Sequence, residues 1–265
     1  MDFLFSIDLQ TFNWLLIAWG AIALPSALSI VWAKVLPMSS RADNSKLAVL
    51  GTINKRLGWI IMETLVIPTV LFCYWAGIQA SGGSVNVSVV FIAVYVVHYF
   101  NRGFIFTLRV KVAGKRMPVV SMLSSMMFYI VNSYLIGYYF GALKAYPLEW
   151  LWDPRFIMGM GVFLAGFVIN IQSDNILMRL RGPGETGYKI PRGGMYRYVS
   201  CPNYLGEIME WIGFAIMSWS LMGAVYALWV ALPLLPQAML AHRWYLEKFG
   251  DKYPVERKAV FPHVL

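Results

Sequence analysis

Charge is what this sequence has least of: 13% of its 265 residues are Asp, Glu, Lys or Arg. Soluble domains carry roughly 25%. With 59% of the chain apolar, a water-soluble domain is excluded and a membrane protein is indicated. Cysteine is scarce too. Cys73 falls in an apolar run and Cys201 in a basic loop, which argues against a disulfide and offers no metal-ligand spacing. The three histidines, His98, His242 and His263, are too scattered to suggest a metal site. Met1-Asp2-Phe3 lacks the basic stretch that opens a cleavable signal. No internal repeat or linker divides the chain, so one membrane-embedded domain over 1–265 is expected. No basic helix or aromatic platform stands clear of the membrane, which argues against a nucleic-acid partner. No obligate protein partner is evident.

What the chain does have is apolar runs. A bilayer core needs about 20 residues per helix, and seven runs qualify: 12–33, 57–77, 85–108, 119–141, 155–173, 204–221 and 223–241. The last two are short and joined through Leu221-Met222-Gly223, predicting a helical hairpin; merged into one helix they would leave six spans. Loop charge favours seven. Of the 22 basic residues, 19 fall in segments 34–56, 109–118, 174–203 and the tail, which are alternate connections. Because cytoplasmic loops collect Lys and Arg, the N-terminus is expected outside and the C-terminus inside. The expectation is an all-α integral membrane protein with seven transmembrane helices. Its basic face is sufficiently explained by topology and contact with anionic membrane lipids.

Several polar residues sit where Leu or Val should. At about 100° per residue, Asn203, Glu207 and Glu210 fall near 0°, 40° and −20° on one helical stripe. Carboxylates facing hydrocarbon are costly, so this stripe is expected to face a polar cavity. Asn170, Asp174 and Arg181 form a second stripe if their helix continues. The Gly-, Pro- and Arg-containing stretch 181–194 then breaks the chain twice. Glycine permits close backbone approach and arginine neutralises phosphate, yet interfacial turns with snorkelling cations explain that loop equally well. Neither G-x-G-x-x-G nor G-x-x-x-x-G-K-[ST] is present, so any nucleotide is held between helix ends and loops.

Glu63 and Tyr99 lie at similar depths in the second and third spans, within reach of one cavity. A carboxyl in a dry cavity tends to stay protonated and can donate a hydrogen bond to a ligand carbonyl; a Glu–Tyr bond tying two helices is the plainer reading. Arg102, one turn beyond Tyr99, can neutralise an acid or reach a phosphate. His242 and Tyr245 share a helix face in the tail, which by itself reads as a solvated helix and turn.

Together these pieces resemble the steroid 5-alpha-reductase family of NADPH-dependent membrane enzymes. Ser200-Cys201-Pro202-Asn203-Tyr204-Leu205-Gly206-Glu207-Ile208-Met209-Glu210-Trp211-Ile212-Gly213 looks like its C-terminal signature, in a Cys-Pro form like that of plant and bacterial members. Gly161 to Asp174, Leu180 to Glu185 and Tyr188 to Gly194 resemble the middle of the family, and His242 to Leu246 with Tyr253 to Ala259 its end. Trp59 to Glu63 and His98 to Arg102 align more loosely, so the resemblance covers about 55–265. Met62 stands where mammalian members carry Gln, and Asn101 where they carry His.

The resemblance implies a seven-helix fold that takes NADPH from the cytoplasmic side. It places Asn170, Asp174, Arg181, Asn203, Glu207, Glu210, His242 and Tyr245 around the cofactor, Arg102 near the phosphates and Trp59 near the nicotinamide or steroid. By the same resemblance, Glu63 and Tyr99 are expected to bind the 3-keto oxygen of a lipophilic 3-oxo-Δ4 steroid drawn from the bilayer. The reaction it implies delivers hydride to C5 and a proton to C4, giving a 5-alpha-3-oxosteroid. A bacterial inner membrane is the expected location, or the endoplasmic reticulum in a eukaryote. The competing readings are S-adenosylmethionine-dependent membrane methyltransferases of the isoprenylcysteine or phospholipid type, ene-reductases acting on other lipids, and a non-enzymatic sterol carrier.

Overall fold

The computed structural model describes residues 5–33, 45–112, 114–182, 185 and 187–265. Lys34 and Arg41 of the first basic loop, and Pro183, Gly184 and Thr186 of the later one, lie outside the described residues. In hydrocarbon the backbone has only itself to hydrogen-bond, so long apolar runs become helices. In chain order these are α1 (Leu9–Ala33), α2 (Lys55–Thr64), α3 (Val66–Ser81), α4 (Ser88–Phe100), α5 (Thr107–Arg109), α6 (Val119–Tyr138), α7 (Pro154–Arg179), α8 (Pro202–Ser218) and α9 (Leu221–Phe249). Among the described residues, six stretches are long and apolar enough to cross a membrane: Leu9–Ile30, Lys55–Ser81, Ser88–Arg109, Val119–Leu143, Pro154–Arg179 and Leu221–Lys252. The seventh helix, α8, has 17 residues. At 1.5 Å per residue it is about 26 Å long, at the lower limit for a span. The protein is an all-α integral membrane protein.

Three details depart from the sequence reading. The α8–α9 hairpin turns at Trp219, whose φ is 43°, and Ser220, before the expected Leu221–Gly223 link. Ser220 Oγ accepts from the Gly223 N–H at 3.1 Å and starts α9, so the two runs are separate helices. Helix α7 runs past residue 173 and carries both Asn170 and Asp174, but it ends at Arg179. Arg181 therefore leaves the expected stripe, because Gly182 followed by Pro183 disfavours further helix. Thirdly, strands β1 (Thr52–Asn54) and β2 (Arg116–Pro118) pair antiparallel, Ile53 opposite Met117. They clip two basic connections together, and Arg116 Nε donates to Thr52 Oγ1 at 2.7 Å. Asn54 then caps α2, accepting from the N–H groups of Arg56 and Leu57.

The chain divides into two compact units, Met1–Trp19 with Val35–Ile157 and Gly20–Lys34 with Met158–Leu265. In the first, α3 packs on α6 so closely that a β-carbon on Gly137 would lie 2.8 Å from Val70 O. Ser88 Oγ meets the Tyr74 hydroxyl at 3.0 Å and donates to Phe140 O at 2.9 Å. At the entry to α7, Arg155 donates to both carboxylate oxygens of Asp153 and holds that acid down at about 2.

In the second unit α8 packs on α9, and glycines bring α7 onto α8. A β-carbon on Gly206 would sit 2.6 Å from both Asn170 N and Gly166 O, and one on Gly213 would sit 2.6 Å from Gly159 O. Small residues at such crossings let backbones touch, which is how helices gain packing where lipid is as apolar as Leu. The tail returns along the segment before α8: Ser200 N–H donates to Lys258 O at 2.8 Å and Cys201 N–H to Ala259 O at 3.0 Å. Val199, Leu205, Ile208, Ala238, Ala241 and Val260 bury that junction.

Candidate active site

The sequence-derived candidates fall into two clusters, one in each unit. The first rests on α2, α4 and α6. Glu63 and Tyr99 are 5% and 4% exposed, so neither looks out at lipid. Tyr129 of α6 connects them. Its hydroxyl donates to Glu63 Oε1 at 3.1 Å, and its ring packs edge-on against Tyr99 with centroids 5.5 Å apart. Tyr95, at 4.8 Å, and His98, at 5.0 Å, hold the other sides of the Tyr99 ring.

Helix α4 does not continue as a plain α-helix. Residues Asn101–Phe106 form a π-helical segment, in which Thr107 Oγ1 donates to the carbonyl of Arg102, five residues earlier, at 2.7 Å. The extra residue per turn swings Gly103 against Glu63, where a β-carbon would lie 3.2 Å from Glu63 Cβ. Such π-bulges concentrate at functional sites. The same segment sets the guanidinium of half-buried Arg102 4.5 Å from the Phe106 ring, which stands 5.7 Å from Trp59. Trp59 Nε1 is buried with no hydrogen-bond partner among the described residues. Phenols, an acid and an indole N–H thus stand among aromatic rings, chemistry suited to a flat ligand with one polar end.

The second cluster joins α7, α8, α9 and the tail. Asn170, 1% exposed, donates through Nδ2 to the Asn203 carbonyl at 2.9 Å. The glycine contacts above make that bond reachable. Asp174 and Glu210 are buried. Half-buried Glu207 makes no hydrogen bond with any described residue. His242 Nδ1 lies 2.6 Å from Ser200 Oγ, which is 2.7 Å from the Tyr253 hydroxyl. Tyr245 stacks on Tyr253 with centroids 5.2 Å apart. The guanidinium of Arg181 lies 6.0 Å from the ring of Tyr188.

Tyr129, Gly103, Ser200 and Arg257 escaped the sequence reading as site residues. Tyr129 is flanked in sequence by apolar Met127, Phe128, Ile130 and Val131, and Gly103 acts only through the π-segment. Arg257 is buried at 4% exposure, with one nitrogen donating to Pro191 O at 3.0 Å. Its Nε and the other terminal nitrogen are buried without a hydrogen-bond partner among the described residues. Among those residues no group of His, Cys, Asp and Glu is placed to hold a metal ion.

Apolar helices that bury acids, amides and phenols against protein define a multi-pass membrane protein with a polar interior. The family model described as 3-oxo-5-alpha-steroid 4-dehydrogenase matches residues 115–265. The chain is 40% identical to 3-oxo-5-alpha-steroid 4-dehydrogenase 1 of Bos taurus over 212 residues, 79% of this chain and 81% of that one. It is 41% identical to the Homo sapiens protein of the same name over 207 residues, covering 78% and 79%. With steroid 5-alpha-reductase DET2 of Gossypium hirsutum it shares 34% identity over 261 residues, 97% and 98% of the two chains. The chain belongs to the 3-oxo-5-alpha-steroid 4-dehydrogenase family.

Proposed function

We propose that this protein reduces the C4–C5 double bond of 3-oxo-Δ4 steroids to 5-alpha-3-oxosteroids with NADPH. The names of its relatives support the reaction class. The observation that carries the reading is the Glu63–Tyr129–Tyr99 cluster, drawn from three membrane-spanning stretches with Glu63 and Tyr99 buried. A flat, lipophilic enone partitions into the bilayer and carries one polar atom, the 3-keto oxygen. Glu63 in its acid form and Tyr99 both donate to that oxygen, stabilising the negative charge that grows there as the double bond is reduced. Tyr129 occupies Oε1 and so orients the acid. C4 takes its proton from water or from an acid of the chain.

The second cluster supports a bound dinucleotide. A buried guanidinium with two orphaned donors is expensive unless an anion completes it, and Arg257 fits that need. Asn170, Asp174, Arg181, Asn203, Glu207, Glu210, His242 and Tyr245 would hold the nucleotide, with Arg102 assigned to phosphate and Trp59 to a flat ring of nicotinamide or steroid. NADPH when bound supplies the hydride received at C5. Entry from the cytoplasm is the direction the basic loops favour. The family relationship supports a reductase over the S-adenosylmethionine methyltransferase reading.

The direct test is purified protein in detergent with several Δ4-3-ketosteroids and either NADPH or NADH, the products being identified. NADPH-dependent formation of 5-alpha-3-oxosteroids is expected. Unaltered steroid beside a thermal shift from S-adenosylmethionine would overturn the proposal.

A further inference from the structure

We propose that Ser200 is a positioning residue that fixes the tautomer of His242. The inference rests on the assignment of His242 to the nucleotide pocket. Three side chains from three segments meet here: Ser200 before α8, His242 on α9 and Tyr253 in the tail. Ser200 Oγ lies 2.6 Å from His242 Nδ1 and 2.7 Å from the Tyr253 hydroxyl. Ser200 and Tyr253 are 2% and 1% exposed, so water does not compete for these bonds.

The direction of the chain follows from counting protons. The Tyr253 hydroxyl has one acceptor among the described residues, Ser200 Oγ, and a buried O–H without an acceptor is costly. Tyr253 therefore donates to Ser200. The Ser200 proton is then left one acceptor, His242 Nδ1. An Nδ1 that accepts carries no proton, so the neutral ring holds its proton on Nε2. Reversing the relay would strand the Tyr253 proton inside the protein. Nε2 makes no hydrogen bond with any described residue, so His242 presents an oriented donor to its ligand, matched to an acceptor oxygen such as that of a phosphate, ribose or carboxamide.

Ser200 is itself held firmly. Its N–H donates to Lys258 O at 2.8 Å, and Lys258 N–H donates back to Tyr198 O at 3.0 Å. Tyr253 is gripped between the Tyr245 ring, stacked at 5.2 Å, and the Arg257 guanidinium at 5.2 Å. The tail thus aims His242 without touching its Nε2.

The test uses full-length protein in detergent, labelled with 15N at histidine. There are only three histidines, and His242→Gln assigns the resonances. The wild type is expected to show the Nε2–H neutral form at His242. Ser200→Ala and Tyr253→Phe should each yield a mixture of tautomers, and Ser200→Thr should restore the single form. KM for NADPH should rise about three- to tenfold in the first two variants, the size of one neutral hydrogen bond, with kcat little changed and the Thr variant near wild type. An Nδ1–H wild-type ring, or a tautomer indifferent to Ser200→Ala, overturns the relay. A His242 resonance that responds to Ser200 but not to NADPH supports the relay and overturns the pocket assignment, so the two failures read differently.

Discussion

The hydroxyl of Tyr129 donates to Glu63 Oε1 across 3.1 Å, joining α6 to α2. The acid proposed to polarise the ketone is thereby fixed by a side chain from another helix. Tyr129→Phe keeps the ring and deletes the bond. Its kcat on a Δ4-3-ketosteroid is expected to fall about tenfold, in line with one buried hydrogen bond to an acid, while NADPH affinity holds. Steady-state kinetics decide it, and an unchanged kcat removes Tyr129 from the site.

Glu63→Gln should be far more severe. The glutamine amide keeps an N–H but is a far weaker donor than a carboxylic acid O–H, and weakening the donor aimed at a developing oxyanion should cost up to about 10²–10³-fold in kcat. The nucleotide-dependent thermal shift should survive, because Glu63 is assigned to the ketone alone. Turnover of testosterone or progesterone near the wild-type rate would reject the role.

Glu207 and Arg257 are predicted to act on the nucleotide. Glu207→Ala and Arg257→Met should each shrink the NADPH-induced rise in melting temperature, with Kd raised about tenfold or more for the loss of a charge-assisted bond. The basal melting temperature separates ligand binding from folding. A variant that melts early without nucleotide, yet responds fully to NADPH, is structural only.

The α7–α8 crossing should be intolerant of bulk. Gly206→Ala would push a methyl into backbone atoms 2.6 Å away, and overpacking of this kind costs about 1–3 kcal/mol. A lower apo melting temperature and weaker NADPH binding are expected together, since Asn170 reaches Asn203 only across this contact. A variant as stable as the parent would show that the helices separate freely.

Much of this was legible in the chain because hydrocarbon is an unforgiving solvent. An apolar run that long has few alternatives to a helix, and an acid within it must face protein. Glu63, Glu210, Asn170 and Asp174 were recognised as polar residues in need of protein neighbours, and all four are buried, whereas Asn203 and Glu207 of the α8 stripe are half-buried. The hairpin of α8 and α9 was legible from charge alternation, although its turn lies at Trp219–Ser220. Arg181 was misjudged as part of a helical stripe because the stripe presumed a helix that stops at Arg179.

The sequence by itself determined the class of solvent, the run of helices and which polar residues required a partner, since each follows from local transfer cost. Only the tertiary structure decided who those partners are: Tyr129 for Glu63, Ser200 and Tyr253 for His242, Pro191 for Arg257. Those pairings depend on which helices pack together and on a tail that folds back from the far end of the chain. Contacts between residues dozens of positions apart leave no periodicity to read, because they are fixed by how closely two backbones can approach.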